Sequence, residues 1–422
     1  MTNQFSSVSW ANNATMYEVN IRQFTAEGTF AAFSKHLPRL KDMGVEILWL
    51  MPITPISKKV RQGSLGSYYA CSSYSTINPE FGSLDDFKHL VEKAHQLGFK
   101  LIIDWVANHT GWDHHWTIEH PDWMMRDAQG NFTEKNGWHD VIDLNFDIPE
   151  MRNELINAMH FWVNECDIDG FRCDMAHLVP LDFWMQARTS FNNCKQLFWL
   201  AECEVVAYHQ VFDATYAWWW MHECERYAKS IASLNDIRNV LHAYAQYPDG
   251  AIKLFFTSNH DENSWNGTEM EKFGVAAKAW AVFSFTWMGM PLIYSGQETK
   301  NTKRLKFFDK DVIDWSPNPS LHSFYQSLAF LRKNNVAIQN GETFILPSTH
   351  DNQLMAFFRR KNEQVVLVLL NVSDHNKLTI DVSHIWLQGR FKNVFSQMEF
   401  NFSHTEKFEL QAGEYIVYEK IG

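Results

Sequence analysis

The chain reads as an α/β protein: a (β/α)8 TIM barrel with a short inserted domain after the third strand and a C-terminal antiparallel β-sandwich domain. Three observations predict this fold. Eight β-rich runs alternate with amphipathic helical stretches between about residue 15 and residue 333. About forty residues rich in Trp, His, Asp and Asn interrupt the alternation after the third run, too many for an ordinary βα loop. After about residue 335 only short strands remain. The predicted partition is therefore 1–108 with 149–335 as barrel, 109–148 as an inserted lid and 336–422 as sandwich.

The elements follow in order. A strand is predicted over 15–21 and a helix over 30–43, stopped by Gly44. The second strand, 45–51, is closed by Pro52. Ser83 opens the next helix with Asp85 and Asp86 in its first turn, where the helix dipole favours anions, and Gly98 ends it. The third strand is 99–106. Beyond the lid come a helix over 149–166, a strand over 168–174, a helix over 181–191 and a strand over 197–202. A sixth strand is predicted at 215–220, a helix at 234–247 and a seventh strand at 253–258. A helix at 273–287, an eighth strand at 291–295 and a last helix at 321–333 complete the repeat. The C-terminal strands are predicted at 343–346, 354–359, 365–370, 377–382, 407–410 and 414–418.

Composition narrows the partner. The 422 residues include 18 Trp against 19 Gly and are 15% aromatic, which excludes a disordered chain and allows a large core. A net charge of −12 argues against nucleic acid or an anionic membrane surface and fits a neutral partner. The longest apolar stretch, 279–294, is too short to span a bilayer and contains Gly289 and Pro291, so a buried helix running into a strand is expected. Six scattered cysteines without a CxxC predict reduced, mostly buried thiols rather than a zinc site. The first ten residues show no basic segment followed by an apolar one. That predicts a cytoplasmic protein if the N-terminus is native, and a periplasmic or secreted one if a signal peptide has been removed. Oligomeric state is left open by the sequence.

In a barrel of this kind, chemistry sits at the C-terminal ends of the strands. Strand 3 runs into Asp104, Asn108 and His109 in DWVANH; strand 4, GFRCDMAH, puts Arg172 and Asp174 on one face; strand 5 ends in LAECE, with Glu202 and Glu204; strand 7 ends in SNHD, with Asn259, His260 and Asp261. Carboxylates from three strands form a shared acidic pocket, where like charges raise at least one pKa. One ionised carboxylate and one protonated carboxylic acid are what retaining glycoside hydrolysis requires. Asp174, beside the Arg172 cation, is predicted as nucleophile. Glu202, with no cationic neighbour in sequence, is predicted as general acid and then base, ahead of Glu204. Asp261 is the third carboxylate, and His109 and His260 are expected to donate to sugar hydroxyls. A rival metal reading rests on Asp113, His114 and His115 with His109 and His120 nearby, but strand 1 offers none of the paired histidines a hydrolytic metal barrel needs.

The four segments DWVANH, GFRCDMAH, LAECE and SNHD, in that order, resemble the signature regions of the α-amylase family of glycoside hydrolases, glycoside hydrolase family 13. The resemblance extends through GSYYACSSYSTINPEFGS and MGMPLIYSGQE, nearly the whole barrel. It implies the same three roles for Asp174, Glu202 and Asp261, places Arg172, His109 and His260 around the reacting sugar and makes Tyr69 a stacking platform. Asp104 and His177 complete the expected substrate-binding set. Ala70 and Ser73 depart from the usual acidic residues, and the fifth region reads VIDLN at 141–145. In calcium-dependent members the corresponding ligands map to Asn108, Asp143 and the main-chain oxygen of His177, an oxygen set of the type Ca²⁺ takes. No organic cofactor is expected.

The expected activity is endo-acting hydrolysis, with retention, of α-1,4-glucosidic bonds in starch, glycogen or maltooligosaccharides. A cyclomaltodextrinase, neopullulanase-like enzyme or 4-α-glucanotransferase is the alternative within the class. A non-catalytic glucan-binding or partner subunit is the reading from another class, though such a chain is expected to lose part of the carboxylate set. Trp105, Trp112, Trp116, Trp123, Trp138, Trp265 and Trp287 fall near strand ends or in the lid, where flat faces can lie against sugar; Trp162, Trp184 and Trp280 are expected in the core.

Overall fold

The computed structural model describes residues 5–316 and 319–421. Residues 1–4, in the segment read for a signal, residues 317–318 of the predicted barrel segment and residue 422 lie outside the described residues. Eight parallel strands close into a barrel: Met16–Val19, Ile47–Leu50, Lys100–Trp105, Gly170–Cys173, Phe198–Ala201, Ala214–Tyr216, Ile252–Phe255 and Met290–Tyr294. Each pairs with its successor, and the last closes on the first with Met16 opposite Leu292. Their inward and outward faces are both covered, so they read as nearly continuous apolar runs rather than as alternation. Gly170 opens the fourth strand because a Cβ there would lie 2.0 Å from the Phe198 carbonyl oxygen.

Local signals set the helices. Ser83 and Asp86 form a reciprocal capping box on Leu84–Gln96, and Ser233 with Asp236 do the same for Leu234–Tyr244. Pro149 starts the long helix Pro149–Cys166, where a missing N–H costs nothing, and Asp167 ends it in a left-handed conformation. The helix expected over 30–43 is broken into Phe30–Phe33, a 3-10 turn Ser34–His36 and Leu37–Asp42, since Pro38 can only sit in a first turn. The helix expected over 273–287 begins as a 3-10 turn at Gly274 and runs as Ala277–Thr286 before the eighth strand. The sixth strand stops at Tyr216, and the consecutive tryptophans 218–220 begin a helix, Trp218–Ala228. Their β-propensity loses to packing: Trp220 is buried against Phe255 and Phe283, while Trp219 is 49% exposed. Among the described residues no helix is long and apolar enough to cross a membrane. All six cysteines are free thiols, five of them buried.

Beyond the third strand, His109–Gly111 pairs antiparallel with Val141–Asp143, tying the two ends of the insertion together. The C-terminal region is a six-stranded antiparallel sheet facing a two-stranded one. The larger sheet orders Glu342–Ile345, Leu354–Lys361, Gln364–Asn371, Tyr415–Lys420, Gly389–Asn393 and Glu399–Phe402; the smaller pairs Leu378–Ser383 with Thr405–Leu410. Strands Gly389–Asn393 and Glu399–Phe402 were not expected from the sequence, because both are only partly buried, the second at the sheet edge, and carry little apolar signal. Alternation along the central strands divides the cores. Phe357, Val366, Val368 and Leu370 pack on the barrel, with Phe357 against Phe283 and Trp287, whereas Phe358, Leu367 and Leu369 share a core with Ile380, Phe408 and Leu410 of the smaller sheet.

Candidate active site

The strand ends open on a cavity of about 260 Å³ whose wall includes Tyr69, His109, Asp174, Glu202, His260 and Asp261. Arg172 lies beneath it, fully buried. Its Nη1 donates to Asp174 Oδ1 at 2.9 Å and to Asp104 Oδ1 at 2.9 Å, and its Nε donates to the Tyr216 hydroxyl at 3.0 Å. Its Nη2 lies 2.8 Å from Glu202 Oε2 as an ion pair without hydrogen-bond alignment. Glu202, without a cationic neighbour in sequence, thus has one in space. The fourth and fifth strands run side by side with Cys173 opposite Ala201, and the Glu202 N–H continues the ladder to the Cys173 carbonyl, so one guanidinium spans both carboxylates. Glu202 Oε2 also accepts from the Met175 N–H at 2.9 Å. Met175 makes this turn in a left-handed conformation, φ +41°, which is strained for a residue with a side chain and recurs at functional sites.

Burial dominates the proton affinities here. It pushes Asp174 up to about 6 against the pull of Arg172. It also raises Glu202, opposed by Arg172 and reinforced by Asp174 and Asp261. Asp104 is raised to about 6 by burial in the same way. Burial would raise Asp261 as well, but the adjoining His260 outweighs it and holds that carboxyl below its ordinary value. His109 is pushed down to about 4 by burial, and its Nδ1 lies 3.2 Å from Asn108 Nδ2, so the ring is neutral with Nε2 left to carry the proton.

The other predicted residues are placed as follows. Tyr69 donates to Asp104 Oδ2 at 3.0 Å, meets His260 Nε2 at 2.8 Å and stacks near-parallel on the His260 and Phe307 rings. Asp104 and Arg172 do not reach the cavity wall; Asp104 braces Arg172 and Tyr69 and accepts from Trp49 Nε1 at 3.2 Å. His177 is exposed in the turn Ala176–Leu178, off the cavity, and its carbonyl accepts from the Tyr208 hydroxyl at 3.3 Å. Glu204 turns away from Glu202: it accepts from the Trp219 N–H at 2.8 Å and from Tyr244, and lies 3.6 Å from Lys253. Of the tryptophans expected against sugar, Trp138 and Trp265 line the cavity. Trp105, Trp116 and Trp123 are buried, Trp112 donates to the His139 carbonyl, and Trp287 packs on the C-terminal sheet. Strand position could not separate these, because burial of a long aromatic depends on which loop folds over it.

Several cavity residues escaped sequence reasoning. Phe307 and Phe308 contact Trp265 at ring-centroid distances of 5.5 and 5.6 Å, and Asp140 and Gln62 also line the cavity. Beneath His260 lies Glu18, the lone acidic residue in the otherwise apolar first strand. A charge inside a central strand was the available signal.

The expected calcium ligands do not form an oxygen cage. Asn108 directs its amide nitrogen at Asp143 Oδ1, 3.3 Å away, and Asp143 Oδ2 accepts from the Lys135 N–H at 3.1 Å. Ca²⁺ requires six to eight oxygens. Asp143 is the only carboxylate of the set and both its oxygens are satisfied by N–H groups; among the described residues no group of three or more His, Cys, Asp or Glu side chains is placed to hold a metal. The residues present do not fit the ion.

The family profile described as "Alpha amylase, catalytic domain" matches residues 9–136 and 118–216. A crystal structure titled as a noncanonic maltogenic alpha-amylase from Thermotoga neapolitana superposes with a TM-score of 0.89 at 30% identity, covering 97% of this chain and 99% of that one. An alpha-amylase from Lactobacillus plantarum gives 0.89 at 28% identity over 97% and 99%. Among curated relatives, an alpha-amylase of Haloarcula japonica is 26% identical over 87% of this chain; the chain spans 56% of that relative's length. The chain belongs to the α-amylase family of glycoside hydrolases.

Proposed function

We propose that this protein hydrolyses α-1,4-glucosidic bonds of starch, glycogen or maltooligosaccharides with retention of configuration, with Asp174 as nucleophile, Glu202 as acid and then base, and Asp261 as the third carboxylate. The observation that carries this is the single Arg172 guanidinium touching Asp174 and Glu202 beneath the cavity that both carboxyls line. The shared cation gathers both carboxyls at one site, as attack by one and proton donation by the other require. The aligned hydrogen bond from Nη1 favours an ionised Asp174, whereas Arg172 meets Glu202 without such alignment, and burial with the neighbouring Asp174 and Asp261 raises Glu202 toward the protonated form an acid needs. His109 and His260 border the same cavity and can donate to sugar hydroxyls. We read 109–148 as the lid over this cleft and 336–422 as the supporting sandwich.

A second reading within the class is cleavage of short or cyclic maltodextrins, as in a cyclomaltodextrinase, or glucanotransfer. It is favoured by the cavity rim, where Trp265, Phe307 and Phe308 wall one side, and by the likeness over nearly full length to a protein titled maltogenic. A product time course on amylose, maltoheptaose, pullulan and β-cyclodextrin separates the two: faster cleavage of β-cyclodextrin than of amylose selects the second. Asp174→Asn tests both, with an expected loss of roughly four orders of magnitude in kcat on maltoheptaose. Undiminished turnover would falsify the assignment.

A further inference from the structure

We propose that Glu18 is a positioning residue of this site: clasping Nδ1, it holds the His260 ring as an imidazolium whose Nε2–H is aimed at Asp261 and Tyr69. The inference rests on the hydrolase reading above only for its consequence on rate. Glu18 Oε1 lies 2.5 Å from His260 Nδ1, and both side chains are essentially inaccessible to solvent. On the other side of the ring, Nε2 lies 2.8 Å from the Tyr69 hydroxyl and 3.2 Å from Asp261 Oδ2. Tyr69 has one proton and donates it to Asp104 Oδ2, so toward His260 it must accept, and Nε2 must carry hydrogen. Asp261, as a carboxylate, also accepts. At Nδ1 the partner is again a carboxylate. A neutral ring can donate from one nitrogen only; acceptors on both sides require both protons.

Charge balance points the same way. The groups facing this ring or its clasp are Glu18 from the first strand, Tyr69 from the loop after the second, Asp104 and Arg172 from the third and fourth, Tyr216 from the sixth, Asp261 after the seventh and Tyr294 from the eighth. Arg172 is the only permanent cation among them and already serves Asp104, Asp174 and Glu202. A second positive charge beside Asp261 offsets the surplus of carboxylates. Burial works against it, yet Asp261 and Glu18 together raise His260 well above an ordinary histidine. Burial also raises Glu18, with His260 opposing. The bridging proton resides on the ring because His260 faces two carboxylates whereas Glu18 faces one imidazole. Among the described residues Glu18 Oε2 has no hydrogen-bond partner, so the clasp is what anchors this side chain.

The test is nuclear magnetic resonance of the full chain labelled with ¹⁵N-histidine, followed from about pH 6 to about pH 9, the range in which an ordinary histidine is neutral or becomes so. His260 is assigned by the signal lost in His260→Gln. Both ring nitrogens are expected to stay protonated throughout; a ring with a bare nitrogen at about pH 7 overturns the proposal, whatever the chain hydrolyses. In Glu18→Gln the ring is expected to titrate within this window. On maltoheptaose, kcat should fall roughly 10-fold to 100-fold with KM little changed, as for loss of an orienting partner. The alkaline limb of kcat/KM should move toward acid, because the variant ring then loses its proton within the assayed range. A merely structural Glu18 would lower activity without moving that limb, and an unmoved limb overturns the proposal. Should Glu18→Gln not fold, the spectra of the unaltered chain still decide. A chain that cleaves no glucan while His260 stays doubly protonated counts against the hydrolase reading alone.

Discussion

Arg172 reaches across neighbouring strands to Glu202, its Nη2 2.8 Å from Oε2, while Nη1 holds Asp174 and Asp104. Removing this buried cation leaves Asp104, Asp174 and Glu202 without the charge they share. Arg172→Met is expected to lower stability by about 3–5 kcal/mol, the cost typical of breaking a buried pair from one side. A urea unfolding midpoint equal to that of the unaltered protein would show that the network does not matter to the fold.

The acid side of the activity profile follows from Asp174. A nucleophile must be ionised, and burial has raised this carboxyl to about 6. Its ionised fraction therefore grows as pH rises through that value, and kcat/KM on maltoheptaose should rise with it. A limb near 4, where an exposed aspartate titrates, would mean that burial does not govern the nucleophile.

Trp265 is 53% exposed yet lines the cavity beside Phe307 and Phe308. Such a ring has little packing to lose and a flat face to offer a sugar. Trp265→Ala should raise KM for maltooligosaccharides roughly 5-fold to 10-fold, equivalent to about 1 kcal/mol or slightly more, with kcat and melting temperature nearly unchanged. A lowered melting temperature with unaltered KM would assign the ring to packing.

Because Asn108 and Lys135 N–H already satisfy Asp143, the ends of the insertion are joined by hydrogen bonds within the protein. Chelation with EDTA should leave the thermal unfolding midpoint unchanged. A midpoint that falls on chelation and recovers with added calcium would mean that the ion displaces these contacts.

The barrel was legible in the sequence because its period is local. Each strand and helix announces itself through apolar spacing and caps such as Ser83 with Asp86, and the order of elements leaves few ways to close them. The errors fell where tertiary packing outweighs propensity, as at Trp220, or where edge strands such as Glu399–Phe402 carry little apolar signal. The candidate carboxylates were legible for the same reason: strand ends are countable.

The architecture, the family likeness and the set of acidic groups at the strand ends can thus be read along the chain. How those groups are paired depends on the closed barrel. Arg172 and Glu202 are thirty positions apart, and Glu18 and His260 lie at opposite ends of the barrel sequence, yet closure of the sheet sets each pair in contact. The same closure turned Glu204 toward Tyr244 and Lys253, exposed His177 and left Asp143 bonded to N–H groups. Charge partners are chosen by distance through a low-dielectric interior, and chain separation carries no information about that distance.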